Sequence, residues 1–211
     1  MIDFQAQNKK LIAHLISYGA LKTPRIIRAF KETPRHLFVP EEYLSQAYAD
    51  YPLPILHNQT ISQPYTVAVM TEALQPKLGE KVLEIGSGSG WQAAILARCV
   101  GNKGKVITLE IEKDLVEFAR RNIKKLGLKN IRVIHADGKL GYKREAPYDK
   151  SIITAACNEI PKPIIEQTRI GGRIVAPVNS LFGQRMIVAD KVSGNELKKK
   201  DLGSFVFVPL R

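Results

Sequence analysis

The chain has 211 residues, 45% hydrophobic and 25% charged, with 32 basic and 20 acidic side chains giving a formal net charge of +12. This is the profile of a soluble globular protein with one α/β domain of ordinary size and a sizeable core. No apolar run approaches the ~18 residues of a membrane span. The opening Met1-Ile-Asp-Phe-Gln-Ala-Gln-Asn lacks a secretion-signal pattern, and Cys99 and Cys157 form neither a metal-like pair nor a disulfide framework. The expected setting is a reducing cytoplasm.

The first elements are helical. Phe4, Leu11, Ile12, Leu15 and Ile16 recur at helical spacing over residues 3–19. Thr23-Pro24 reads as an N-cap followed by a first-turn proline, opening a helix to about Phe30. Residues 39–59, with Pro40, Pro52 and Pro54, read as an irregular connection with short helical pieces. Ser62-Gln-Pro64 repeats the cap-plus-proline signal ahead of a helix carrying Val67, Met70 and Leu74 on its apolar face.

From residue 80 the rhythm alternates. Strands are expected at Lys81–Ile85, Lys105–Leu109, Ile131–Ile134, Lys150–Thr154 and Arg173–Ala176. Helices fall between them at Trp91–Val100, Lys113–Leu126 and near Pro161–Thr168. Such alternation means βαβ units and a mostly parallel sheet. Gln184–Ala189 and Phe205–Val208 follow without an intervening helix, so they are expected to pair antiparallel at one edge. The fold class is therefore α/β: a Rossmann-like sheet with an antiparallel C-terminal edge and a helical N-terminal extension. The expected organisation is one domain, 1–211. Residues 1–78 form the extension and substrate side, and 79–211 the cofactor-binding core.

The strongest local motif is Val82-Leu-Glu-Ile-Gly86-Ser-Gly88-Ser-Gly90-Trp91, a strand running through three alternating glycines into a helix. Glycine permits the tight turn and lets a ligand lie against bare backbone. Glu110 ends the next strand about 20 residues later, where a carboxylate accepts hydrogen bonds from ribose hydroxyls. Dinucleotide sites use G-x-G-x-x-G to seat a pyrophosphate; this loop is G-x-G-x-G with bulky Trp91 next, and it resembles the S-adenosylmethionine motif instead. Glu84 matches that motif's acidic position. His135-Ala-Asp137-Gly138 closes the third strand, where the superfamily places an acid near the adenine amine.

The donor leaves the methyl acceptor open. Thr154-Ala-Ala-Cys157-Asn lacks the Asp/Asn-Pro-Pro-aromatic signature of base-amine methylases, and Cys157 has no preceding proline as cytosine-C5 enzymes usually have. No specific nucleic acid is expected, and the scattered basic residues read as a solvated surface, though Lys198-Lys199-Lys200 stands out as a local run.

Thr60-Ile-Ser62-Gln-Pro64-Tyr resembles the Thr-Ile-Ser-x-Pro signature of the protein-L-isoaspartate O-methyltransferase family. Arg35-His-Leu-Phe-Val-Pro40, Ala47-Tyr-Ala-Asp50, Pro52-Leu-Pro54-Ile, Tyr148 to Ala156, Glu159-Ile-Pro161, Gly171 to Val178 and Phe207-Val-Pro209-Leu extend the similarity, in the family's order, over nearly the whole chain. The resemblance implies an enzyme that methylates the free α-carboxylate of L-isoaspartyl residues in damaged proteins, starting repair through a succinimide. S-adenosyl-L-methionine would be the cofactor, S-adenosyl-L-homocysteine the product, and no metal is implied. Carried over, Ser62 is the catalytic serine, and Gly86, Ser87, Gly88, Ser89, Gly90, Glu110, Ile111, Asp137 and Gly138 bind cofactor, with Ser89 bonding within the loop. Partners would be isoaspartyl peptides and unfolded proteins, met by a cytoplasmic monomer with no membrane attachment. Two departures stand out: Cys157 sits where members often have alanine or proline, and the chain is basic where many relatives are acidic. His57 and His135 read as structural or incidental. The rival readings are a cofactor-fold binding module without catalysis and an RNA methylase.

Overall fold

The computed structural model describes residues 2–211. Helix α1 (Phe4–Ser17) buries Leu11, Ile12 and Leu15, and α2 (Pro24–Lys31) buries Ile26, Ala29 and Phe30. A run of short 3-10 turns then leads through the ribbon β1 (Leu53–Pro54) and β2 (Thr60–Ile61) to α3 (Pro64–Leu74). The alternating part follows as β3 (Lys81–Ile85), α4 (Trp91–Val100), β4 (Lys105–Glu110), α5 (Lys113–Lys124) and β5 (Ile131–His135). The chain finishes with β6 (Tyr148–Ile153), α6 (Lys162–Gln167), β7 (Thr168–Ser180), β8 (Gly183–Ser193) and β9 (Glu196–Phe205).

The seven-stranded sheet has the order β5-β4-β3-β6-β7-β8-β9; β3 to β7 run parallel, β8 is antiparallel to β7, and β9 is antiparallel to β8. This is the expected Rossmann-like architecture with an antiparallel finish. The chain walks outward from β3 through β4 to β5, then returns to the other side of β3 at β6. Right-handed crossovers in opposite directions put α4 and α5 on one face and α6 on the other. Period-2 alternation divides the core accordingly. Val82, Val106 and Ile152 join the helices α1–α5, while Leu83, Ile85, Leu109 and Ile153 pack toward α6. Helix α4 lies between the sheet and α2, with every residue but Arg98 buried, which is why it is apolar all round.

Three sequence expectations need correction. The last strand is Glu196–Phe205, not Phe205–Val208. Its lysines stand in solvent on an edge strand with one neighbour, while its backbone pairs with β8. Residues 206–211 instead bond to the end of β6, with Ala156 N donating to Val208 O and Leu210 N to Ala156 O, both at 2.8 Å. Ser62 does not cap α3. The N-cap is Gln63, and the cap bond comes from outside the motif, with Asp50 Oδ1 accepting from Tyr65 N at 2.8 Å. Thr23 does occupy the N-cap of α2, but its hydroxyl donates to Glu72 Oε2 at 2.7 Å and caps nothing. Both cysteines are buried free thiols. Among the described residues no helix is long and apolar enough to cross a membrane, and no cluster of His, Cys, Asp and Glu is arranged to hold a metal.

Candidate active site

In an open α/β sheet the crevice lies outside the carboxyl ends of the strands, where the strand order reverses. Here that point is the end of β3 between β4 and β6, and it is where the glycine loop sits. Gly86 takes φ +92°, and a Cβ there would lie 2.5 Å from Thr154 Oγ1. That hydroxyl is in place because it donates to the carbonyls of Ile85 (2.9 Å) and Gly86 (2.7 Å), tying β6 to the loop. Gly90, at φ +85°, lets the loop press on α5, since a Cβ would come 3.1 Å from Ile123. Ser89 Oγ accepts from Trp91 N at 3.3 Å, and Ser87 Oγ bonds Thr108 Oγ1 at 2.7 Å.

Glu110 is buried and holds the loop directly. Its Oε2 accepts from Gly88 N at 2.9 Å, and its Oε1 from Ile111 N at 2.9 Å and Glu112 N at 3.1 Å. Three backbone donors fix the carboxylate in place and leave one lone pair, on Oε2, for a ligand.

The glycine loop floors a cleft of about 100 Å³ at the carboxyl ends of the strands. Gly86, Ser87, Gly88, Ser89, Glu110, Ile111 and Gly138 line it. Ser62 lines the same cleft from the opposite wall, with Gln59, Thr60 and Ile61, while Val208 to Arg211 close a third side. Two expected residues do not face it. Gly90 is spent on packing against α5. Asp137 Oδ1 accepts from Lys139 N at 2.9 Å, capping the turn that starts at Gly138. His57 and His135 bond Asp114 (3.1 Å) and the carbonyl of Ile111 (2.9 Å).

Ser62 is held by a residue that sequence reasoning left without a role. The Arg35 side chain is fully buried. Its Nη1 donates to the carbonyls of Ala47 (2.9 Å) and Ala49 (3.2 Å), and its Nη2 to those of Tyr51 (3.0 Å), Ile61 (3.4 Å) and Ser62 (3.1 Å). The guanidinium also lies 5.4 Å from the centre of the Trp91 ring, the first residue of α4. Desolvation draws its pKa down to about 10, with Asp50 opposing, so it stays charged at neutral pH. One cation thereby organises the irregular 47–62 segment and seats it on the helix that follows the glycine loop. Below the loop, Glu84 is fully buried with neither carboxyl oxygen paired. Desolvation, reinforced by the charge of Glu110, pushes its pKa up to about 8.

Residues 6–211 match the family model described as protein-L-isoaspartate(D-aspartate) O-methyltransferase. The chain belongs to this family. A protein-L-isoaspartate O-methyltransferase 2 of Archaeoglobus fulgidus is 49% identical over 210 residues, covering 100% of this chain and 95% of that one. The Methanopyrus kandleri protein-L-isoaspartate O-methyltransferase is 42% identical, with coverages of 98% and 92%. A protein-L-isoaspartate O-methyltransferase structure from Plasmodium falciparum, in complex with S-adenosyl-L-homocysteine, superimposes with a TM-score of 0.87 at 25% identity over 97% of this chain and 98% of that one. Another protein-L-isoaspartate O-methyltransferase structure gives a TM-score of 0.88 at 32% identity; 96% of this chain matches, spanning 65% of that longer one. As a member of the protein-L-isoaspartate O-methyltransferase family, this chain is an S-adenosylmethionine-dependent methyltransferase of isoaspartyl residues. The cleft fits that cofactor, with bare glycine backbone along its floor and the buried carboxylate of Glu110 beside it.

Proposed function

We propose that this chain carries out its methyl transfer in the cleft between the glycine loop and Ser62, with the donor on the loop side and the isoaspartyl carboxylate on the serine side. Gly86 to Ser89, Glu110, Ile111 and Gly138 hold the cofactor in this reading, Glu110 through the ribose hydroxyls. Gly90 and Asp137 act from behind, keeping the loop and the Gly138 turn in shape. The observation that carries the reading is that Ser62 and Glu110 line one cleft although they belong to separate parts of the chain.

The free α-carboxylate of an isoaspartyl residue has a pKa of about 3.5 and is ionised at neutral pH, so no general base is required. When bound, S-adenosylmethionine supplies a methyl group already activated as a sulfonium. The task left to the protein is placement with water excluded. Ser62 donates a hydrogen bond that orients the carboxylate, and Arg35 holds Ser62 through its backbone carbonyl. Asp50 fixes the start of α3 just beyond. The backbone amide nitrogen of the following residue then displaces methanol from the ester to close a succinimide, whose hydrolysis returns part of the material to normal aspartate.

In the same reading the enzyme works as a cytoplasmic monomer on unfolded or flexible segments. It forms one domain, with residues 79–211 holding the donor and 1–78 walling the acceptor side. The test uses labelled S-adenosylmethionine and two peptides differing only in isoaspartate or aspartate. Base-labile label on the isoaspartyl peptide alone supports the reading, whereas cofactor binding without transfer to either peptide overturns it.

A further inference from the structure

The β7–β8 hairpin ends in a two-residue turn, Leu181-Phe182, between the paired Ser180 and Gly183. Tight turns favour Asn, Asp, Gly and Pro for conformational reasons, and neither leucine nor phenylalanine serves that purpose. Nothing in the fold covers them: Leu181 is 96% exposed and Phe182 93%. A third bare side chain lies beside them. Gln184 pairs with Phe205 across the sheet, and its amide clasps the backbone of Phe207 on both sides (2.6 and 3.2 Å). Val206, between those two, therefore sits next to the hairpin tip, 94% exposed. Single exposed apolar residues are ordinary, but three gathered at one projecting tip mark an interaction surface.

The tip has a fixed relation to the cleft. β7 runs parallel to β3 and β6, so its end projects from the same edge of the sheet as the glycine loop. Residues 206–211 then run from the tip to the cleft, bonded to Ala156 on the way, and Val208 to Arg211 line the cleft. Val206 and Pro209 are three residues apart, about 10 Å in extended chain. A substrate segment lying extended beside them advances at the same rate.

We propose that Leu181, Phe182 and Val206 form a docking site for the substrate chain itself, gripping an apolar side chain about three residues from the isoaspartyl group. The proposal rests on the isoaspartyl reading above and adds a preference to it. The enzyme selects isoaspartate next to hydrophobic sequence, which unfolding exposes.

The test is a peptide series with isoaspartate fixed and one leucine moved stepwise through an otherwise serine-glycine sequence. KM should fall about tenfold when the leucine stands about three residues away on one side, with kcat unchanged. In a Leu181→Ser, Phe182→Ser double variant that minimum should vanish, while the leucine-free peptide is methylated as before and cofactor affinity is retained. A flat wild-type profile overturns the proposal, as does a minimum that survives in the double variant. Light scattering that shows a wild-type dimer and a monomeric variant overturns it too, assigning the patch to a second copy. If the wild-type enzyme methylates none of the isoaspartyl peptides, the underlying activity reading fails first, a result distinct from a flat profile of methylated peptides.

Discussion

The guanidinium of Arg35 donates to the backbone carbonyl of Ser62 at 3.1 Å across 27 residues of chain. Four further carbonyls, from Ala47, Ala49, Tyr51 and Ile61, share the same cation, so the position of Ser62 depends on one buried side chain. Arg35→Met leaves those buried acceptors without a donor. The expected loss is roughly 3–5 kcal/mol, a fall in Tm on the order of 10 °C, measured by thermal unfolding. Arg35→Lys should rescue little of it, because a single ammonium cannot span the positions that the planar fork reaches. A stability within 1 °C of wild type would remove Arg35 from this role.

Ser62 makes no side-chain cap to α3, because Asp50 supplies the cap bond to Tyr65 N. Ser62→Ala should therefore leave the fold and cofactor affinity nearly intact. The rate of methyl transfer should fall about 10²-fold, the usual cost of one hydrogen bond used in positioning. Isothermal titration with S-adenosyl-L-homocysteine and steady-state kinetics separate the two effects, and an unchanged rate would exclude the serine from the mechanism.

Glu110 binds three backbone N–H groups of the loop and its flank. Glu110→Gln keeps the volume but replaces one acceptor oxygen with a donor facing other donors. Cofactor affinity should weaken about 10–100-fold, combining a distorted loop with a lost ribose acceptor. Equilibrium binding of S-adenosyl-L-homocysteine is the measurement, and retention of wild-type affinity would refute the assignment.

Glu84 gives the cofactor-free protein a pH signature. Its folded-state pKa of about 8 lies above the ordinary value of 4.5. Between those limits the folded protein keeps a proton that the unfolded chain has released, so stability falls as pH rises, by up to ~1.4 kcal/mol per pH unit. The favourable contribution is complete below the lower limit and gone above the upper one. Urea unfolding from mildly acidic to mildly alkaline pH should show this decline. Glu84→Gln, neutral throughout, should flatten it and leave the variant more stable than wild type on the alkaline side. Parallel curves for the two proteins would contradict the buried neutral acid.

The donor half of the site was legible because it is local. Gly86 to Gly90, the strand before them, the helix after them and Glu110 all lie within one βαβ unit, whose chemistry is written in consecutive residues. Ser62 enters as a candidate through resemblance, and its surroundings differ from those its local pattern suggests. The cap-plus-proline pattern suggested a helix start that Asp50 in fact supplies from 15 residues upstream of Tyr65. Arg35 could not be singled out by spacing, since its partners are backbone carbonyls and any sequence would present those. The final strand was displaced for a similar reason: lysines 198–200 weigh against a strand until it is known to be an edge, and the edge is a property of the whole sheet.

Those lysines also bear on the company this enzyme keeps. Unfolded chains are sticky at their own backbones, and any free strand edge risks recruitment into their aggregates. Strand β9 leaves one side of the sheet unpaired, and it carries Lys198, Lys199 and Lys200 there, all exposed. Positive charge on a free edge discourages a further strand from adding. At this end the sheet is guarded against the addition of a further strand.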